Sequence, residues 1–117
     1  MNDLEGPIDI AEVMEILDGD KELLIECFDE FLSDMPQMLA EIQSAIEQKN
    51  ALNLGEAAHK LKGSLRYMAA AQAADIACQL EIMGKQQNLE LSDDMFKTLS
   101  YECEKVKEFM GQYKTQI

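Results

Sequence analysis

Apolar residues recur at alternating intervals of three and four along most of the chain, the spacing of amphipathic α-helices packed in a bundle. The longest run comprises Leu24, Phe28, Phe31, Met35, Met38, Ile42 and Ala45. A second run, Leu54, Ala58, Leu61, Leu65 and Met68, predicts a helix over about residues 51–68. A third, at the C-terminus, contains Phe96, Leu99, Cys103, Val106, Met110, Tyr113 and Ile117. These runs predict an all-helical domain.

Helix-start signals divide the chain further. Asp9 and Glu12 match a capping box, and the short amphipathic segment that follows ends near Gly19, so we expect a small N-terminal helix that covers the bundle. Asn50 is expected to cap the predicted helix over 51–68, and Ser92 to cap the last helix.

Pro36 lies inside the longest apolar run and removes one backbone hydrogen-bond donor. The apolar register continues on both sides of it, which favours one bent helix over two separate helices. The composition supports the helical prediction, because Glu, Leu, Ala, Lys, Gln and Met dominate a chain with only two prolines and six glycines. With short connections, the predicted fold is an antiparallel up-down four-helix bundle with a short N-terminal capping helix.

The length of 117 residues predicts a single domain over residues 1–117. A net charge of −13 argues against binding to nucleic acid or to an anionic membrane, and it favours a monomer. The N-terminus lacks the pattern of a secretory signal, and no apolar stretch is long enough to span a bilayer. The three cysteines have neither metal nor redox spacing, so reduced thiols in a cytoplasmic protein are expected.

His59 is the only histidine, and at 100° per residue it lies roughly 140° from the centre of the apolar face of its helix. It is therefore expected to face solvent. Gly55 and Gly63 stand one turn before and after it, and two glycines within a helix cost about 2 kcal/mol relative to alanine. We interpret both glycines as leaving space for a second macromolecule beside the ring. Lys62 and Arg66 are spaced to reach toward the same region.

The surroundings of His59 add three further expectations. No acidic residue occurs from Ala57 to Ala74, which predicts a locally positive site in a strongly negative molecule. Leu52 lies two turns before His59 and is interpreted as part of a docking patch or as an ordinary exposed leucine. On the following helix, either Gln79 or Glu81 is expected to border the site, and the pattern does not distinguish them.

Residues 59–64, His-Lys-Leu-Lys-Gly-Ser, followed by Ala70, resemble the signature of histidine phosphotransfer (HPt) domains. Two positions depart from that signature: Leu65 stands where a small residue is common, and Ala69 where glycine is usual. No stop signal follows Met68, and it is the resemblance that implies a chain reversal near residues 68–71. The fourth helix would then direct Ala73, Ala77, Leu80 and Gly84 inward.

The resemblance implies a phosphorelay intermediate. His59 would accept a phosphoryl group on Nε2 from a receiver-domain aspartyl phosphate and pass it to another receiver. Lys62 would stabilise the phosphoryl charge, Gly63 would admit the partner, and Ser64 would orient the site or form a structural bond. Receiver domains or a hybrid sensor histidine kinase are the implied partners. No cofactor is expected, because the family's Mg²⁺ belongs to the receiver.

Two other classes of function compete with this interpretation. One is an interaction module of the same fold that binds receivers or other signalling proteins without being phosphorylated; the pairing of an exposed His59 with Lys62 argues against it. The other is an enzyme. The chain has no Gly-rich phosphate-binding loop for a kinase and too few histidines for a metal hydrolase, so a phosphocarrier is favoured.

Overall fold

A computed structural model describes residues 6–116, which form five α-helices and, within that range, no strand. They are α1 (Ile10–Ile16), α2 (Lys21–Glu47), α3 (Ala51–Tyr67), α4 (Ala71–Lys85) and α5 (Ser92–Gln116). Helices α2 to α5 form the bundle, and the short α1 covers it. The predicted all-helical class and the four-helix bundle with an N-terminal capping helix are confirmed.

The core consists of the apolar faces that the helical spacing predicts. Every apolar residue predicted for the inner faces of α2 and α3 is buried. In α5 the central positions Leu99, Cys103, Val106 and Met110 are buried, whereas Phe96 and Tyr113 are only partly covered. The predicted core residue Ile117 lies outside the described residues. Pro36 lies within an uninterrupted α2, so a single helix is confirmed at that point.

Side-chain caps begin three of the helices, and those of α1 and α3 are the caps that the sequence predicts. The carboxylate of Asp9 accepts a hydrogen bond from the backbone of Glu12 at 3.2 Å, and Asp20 caps α2 in the same way. The side chain of Asn50 caps α3. The prediction for Ser92 is wrong: it is the first residue of α5, and its hydroxyl donates to the Leu89 carbonyl at 2.7 Å instead of accepting from the helix.

The reversal between α3 and α4 occurs at residues 68–70, as the resemblance implies. Ala69 adopts a left-handed backbone conformation, with φ of 56°, at the position where glycine would be usual. The Ala70 N–H donates to the Leu65 carbonyl at 2.9 Å, and the Asp9 N–H donates to the Ala69 carbonyl at 3.1 Å. These bonds tie the turn to α3 and to the start of α1. Helix α4 therefore returns directly along α3, its most extensive packing partner.

Candidate functional site: an exposed histidine on a buried carboxylate

The His59 side chain lies on the outer face of α3 and is 68% exposed, which confirms its predicted orientation toward solvent. Its Nδ1 atom lies 2.9 Å from Oε2 of Glu81 on α4. One edge of the ring is thus anchored to the neighbouring helix, while the opposite edge faces solvent. Of the two residues left open for this position, Glu81 borders the site, and Gln79 is exposed.

Glu81 is the organising group of the site. Only 3% of the residue is exposed, although it carries a carboxylate. Lys62 Nζ lies 2.5 Å from Oε1, and Lys85 Nζ lies 3.1 Å from Oε2. Oε1 has no aligned hydrogen-bond donor among residues 6–116, so its close contact with Lys62 is best described as an ion pair.

These contacts decide the ionisation state of the carboxylate. Contact with the Lys62 ammonium lowers the pKa of Glu81 from 4.5 to about 2, with smaller contributions from Lys85 and His59. Burial alone would raise that pKa, because it disfavours the charged form. The two lysines therefore outweigh desolvation, and Glu81 is ionised at neutral pH.

An ionised carboxylate can only accept hydrogen bonds, so Nδ1 of a neutral His59 ring must be the donor. The ring lone pair is then on Nε2, the nitrogen on the solvent-facing edge. Glu81 thus selects one tautomer and presents a single unprotonated nitrogen to an incoming group. A neutral imidazole held in this way is a nucleophile.

A close crossing of two glycines brings Glu81 to the histidine. A Cβ added to Gly84 would lie 2.6 Å from the Gly55 backbone nitrogen and 2.7 Å from the Ala51 carbonyl oxygen. Helices α3 and α4 can therefore approach this closely only because residue 84 has no side chain. Glu81 precedes Gly84 by three residues and His59 follows Gly55 by four, so the crossing lies about one turn from the site on both helices.

This packing corrects the interpretation of Gly55. The residue is buried between α3 and α4, so it does not leave space for a partner beside the ring. Gly63 differs: it is exposed, and a Cβ added there would meet nothing within 4 Å. Of the two glycines that flank His59, only Gly63 borders open space.

The other predicted site residues lie at varying distances from this centre. Leu52 is 71% exposed and lines the same surface groove as His59 and Lys85. Arg66 is exposed. The Ser64 hydroxyl donates to the Met38 sulfur at 3.9 Å, a contact with α2 and not with the histidine.

The stretch without acidic residues from Ala57 to Ala74 does not leave the site without a carboxylate, because α4 supplies Glu81. Lys85 was not predicted. The available signal was the four-residue spacing of Glu81 and Lys85 on one helix, which is typical of an ion pair. Lys60 lies on the other flank of α3 and contacts Glu41 on α2 at 3.4 Å.

Two further features of the structure bear on other kinds of function. Within residues 6–116 there is no cluster of three or more metal-ligating side chains. None of the helices in the described part of the chain is both long and apolar enough to cross a bilayer.

The fold and site define a class of protein: a helical bundle that presents one histidine nitrogen on the outside of a central helix. A sequence model of the Hpt domain matches residues 26–109. The chain is also 24% identical, over 119 residues, to the phosphorelay intermediate protein rdeA of Dictyostelium discoideum. That alignment covers 97% of this chain and 47% of rdeA, so the chain spans about half the length of the curated relative it matches.

A solved structure shows the same fold. The crystal structure of histidine-containing phosphotransfer protein B (HptB) from Pseudomonas aeruginosa PAO1 aligns with a TM-score of 0.90, covering 97% of this chain and 98% of HptB at 18% identity. Because the family match spans most of the chain, the protein belongs to the Hpt domain family. Membership supports a role as a phosphotransfer intermediate and gives no support to the alternative of an unphosphorylated interaction module.

Proposed function

We propose that this domain is a phosphorelay intermediate in which Nε2 of His59 carries the phosphoryl group. The observation that supports this most directly is the 2.9 Å contact between His59 Nδ1 and Glu81, which leaves Nε2 unprotonated on an exposed ring. His59 would attack the phosphorus of an aspartyl phosphate. The N–P bond forms as the P–O bond breaks, and the aspartate carboxylate leaves with the electron pair. The reverse step on a second receiver regenerates the ring.

The residues around His59 have distinct proposed roles. Glu81 positions the ring and keeps the proton on Nδ1 throughout the transfer. Lys62 keeps Glu81 ionised and adds positive potential beside the ring. Gly63 borders the open space through which a partner would approach, and Leu52 offers an exposed apolar contact for it. Gly55 and Ser64 support the packing of α3, and Arg66 lies at the edge of the surface.

The proposed partners are receiver domains, free or carried by a hybrid sensor histidine kinase. No cofactor of the domain itself is proposed, since the Mg²⁺ of such reactions would be bound by the receiver. The domain would act as a monomeric phosphocarrier in the cytoplasm and not as a self-sufficient enzyme. Its net charge of −13 supports partners that are neither nucleic acids nor anionic membranes.

Transfer of label tests the proposal. Receiver domains bearing ³²P-labelled aspartyl phosphate are incubated with the wild-type protein and with His59→Gln. We expect label on the wild type only, and that label should be labile in acid and stable in alkali, as phosphohistidine is. Equal labelling of both proteins, or no labelling of the wild type by any receiver, would contradict the proposal.

A further inference from the structure

Two lysines contact the Glu81 carboxylate, but they differ in their surroundings. Lys62 is only 14% exposed and lies 2.5 Å from the buried oxygen Oε1. Lys85 is 71% exposed and lies 3.1 Å from the other oxygen, Oε2. The same Oε2 atom accepts the hydrogen bond from His59 Nδ1. The two ammonium groups are therefore not equivalent.

The consequence of losing each lysine from the carboxylate also differs. If Lys62 moved away, Oε1 would be a buried anionic oxygen without its counter-charge, which is strongly unfavourable. If Lys85 moved away, Oε2 would keep the hydrogen bond from Nδ1, and Oε1 would keep Lys62. Lys85 is thus the lysine that can leave Glu81 without stranding a buried charge.

Lys85 is also in a suitable place to move. It lines the surface groove that contains His59 and Leu52, and its ammonium contacts the same carboxylate oxygen as the ring. A lysine side chain has a flexible four-carbon stem, and this one is mostly in solvent, so rotation of its outer torsions requires no repacking. A phosphoryl group on Nε2 would bring about two negative charges into its reach.

We propose that Lys85 is the residue that binds the phosphoryl oxygens directly, while Lys62 stays on Glu81. The inference rests on the proposed function and deepens it. Before transfer, Lys85 shares Oε2 with the ring. As the Nε2–P bond forms and the aspartate carboxylate leaves with its electron pair, Lys85 moves to the phosphoryl oxygens. The proton stays on Nδ1, hydrogen-bonded to Glu81, and no proton is lost.

Transfer kinetics test this assignment in the full chain. The variants are Lys85→Gln, Lys85→Arg and a matched control, Lys60→Gln. Lys60 is similarly exposed and is one residue from His59, yet it contacts Glu41 on the opposite flank of α3. Each protein is loaded from the same labelled receiver at several salt concentrations. Lys85→Gln should slow loading roughly tenfold, the effect of losing one charge-assisted hydrogen bond, and should weaken the salt dependence of the rate. Lys85→Arg should restore most of the rate, and Lys60→Gln should match the wild type.

A second measurement does not depend on a receiver. Wild-type protein with ¹⁵N-labelled lysine is phosphorylated with phosphoramidate, and the lysine Nζ resonances are compared before and after. The chemical shift of Lys85 Nζ should change more than that of Lys62 Nζ, because Lys62 stays in contact with Glu81. A larger shift at Lys62, or loading of Lys85→Gln at the rate of Lys60→Gln, would overturn the assignment. Failure of the wild type to load from either donor would instead overturn the proposed function, and with it this inference.

Discussion

Replacing Glu81 with glutamine should change how the stability of the protein depends on pH. The carboxyl has a pKa of about 2 in the folded chain and an ordinary value of 4.5. Because folding lowers this pKa, the ionised carboxylate stabilises the folded state fully above about pH 4.5, and that stabilisation is lost as the pH falls toward 2. This difference in pKa corresponds to about 3 kcal/mol of unfolding free energy at neutral pH. About 2 kcal/mol of that stabilisation is lost as the pH falls from 6 to 3.

The measurement is urea unfolding of the wild type and of Glu81→Gln at several pH values from 3 to 6. Glutamine keeps the volume of the side chain but does not titrate. It also leaves Lys62 without a counter-charge, which adds a penalty in free energy that varies little over this range. The difference in unfolding free energy between the two proteins should therefore shrink by about 2 kcal/mol as the pH falls from 6 to 3.

Glu41→Gln is the matched control, because Glu41 forms an exposed ion pair with Lys60. Exposed pairs contribute about 0–1 kcal/mol, so its difference from the wild type should be small at every pH. A difference for Glu81→Gln that stays constant from pH 6 to pH 3 would refute the reasoning. It would mean that the lysines do not hold the pKa of Glu81 below its ordinary value.

Three further predictions concern stability. Gly84→Ala should destabilise the fold by roughly 1–3 kcal/mol, since its Cβ would lie 2.6 Å from backbone atoms of α3. Gly63→Ala should stabilise the fold by about 1 kcal/mol, since nothing lies within 4 Å of the added methyl. Thermal unfolding measures both glycine variants, and equal effects of the two substitutions would contradict the packing described. Lys62→Met should cost roughly 3–5 kcal/mol by stranding a buried carboxylate, whereas Lys85→Met should change stability by less than about 1 kcal/mol. Urea unfolding at pH 7 distinguishes the two lysines, and similar losses would argue against the difference in their environments. Lys49 has a φ of 55° at the end of α2, so Lys49→Gly should raise the midpoint of thermal unfolding slightly; a fall would contradict this.

The bundle was predictable because the signals that specify its helices lie within short segments of the sequence. The apolar spacing of α2 and α3 repeats with the period of a helix, and the caps at Asp9 and Asn50 lie within three residues of the groups they satisfy. The reversal at Ala69 was not predictable from local signals. A non-glycine residue adopts the left-handed conformation there, and its carbonyl accepts a hydrogen bond from the Asp9 N–H that exists only in the folded chain.

The candidate site likewise has one part that follows from local sequence and one part that depends on the packing of two helices. His59 and its exposure follow from the helical period of a single segment. Glu81 lies 22 residues away along the chain, and only the packing of α4 on α3 brings it to the ring. The helical period of α3 could not show which of Glu81 and Gln79 would face the ring.

The two glycines on either side of His59 differ in their position about the axis of α3. On α3, Gly55 and Lys62 lie about 40° and 60° from His59 toward the apolar face, whereas Gly63 lies about 40° away on the opposite side. Helix α4 packs on the first side, so it buries Gly55 and places Glu81 against Lys62. The second side stays open at Gly63. Equal spacing along the sequence thus concealed two different environments.

The same asymmetry explains how a molecule with a net charge of −13 can present a site suited to a phosphoryl group. At physiological salt, charges more than about 8 Å away are largely screened where they are exposed, so the local charges dominate. The buried carboxylate of Glu81 is compensated by Lys62 and Lys85, so these three side chains together carry one net positive charge beside the ring. Glu81 therefore orients the histidine without repelling the group that the histidine would carry, because Lys62 compensates the buried carboxylate and Lys85 adds the net positive charge.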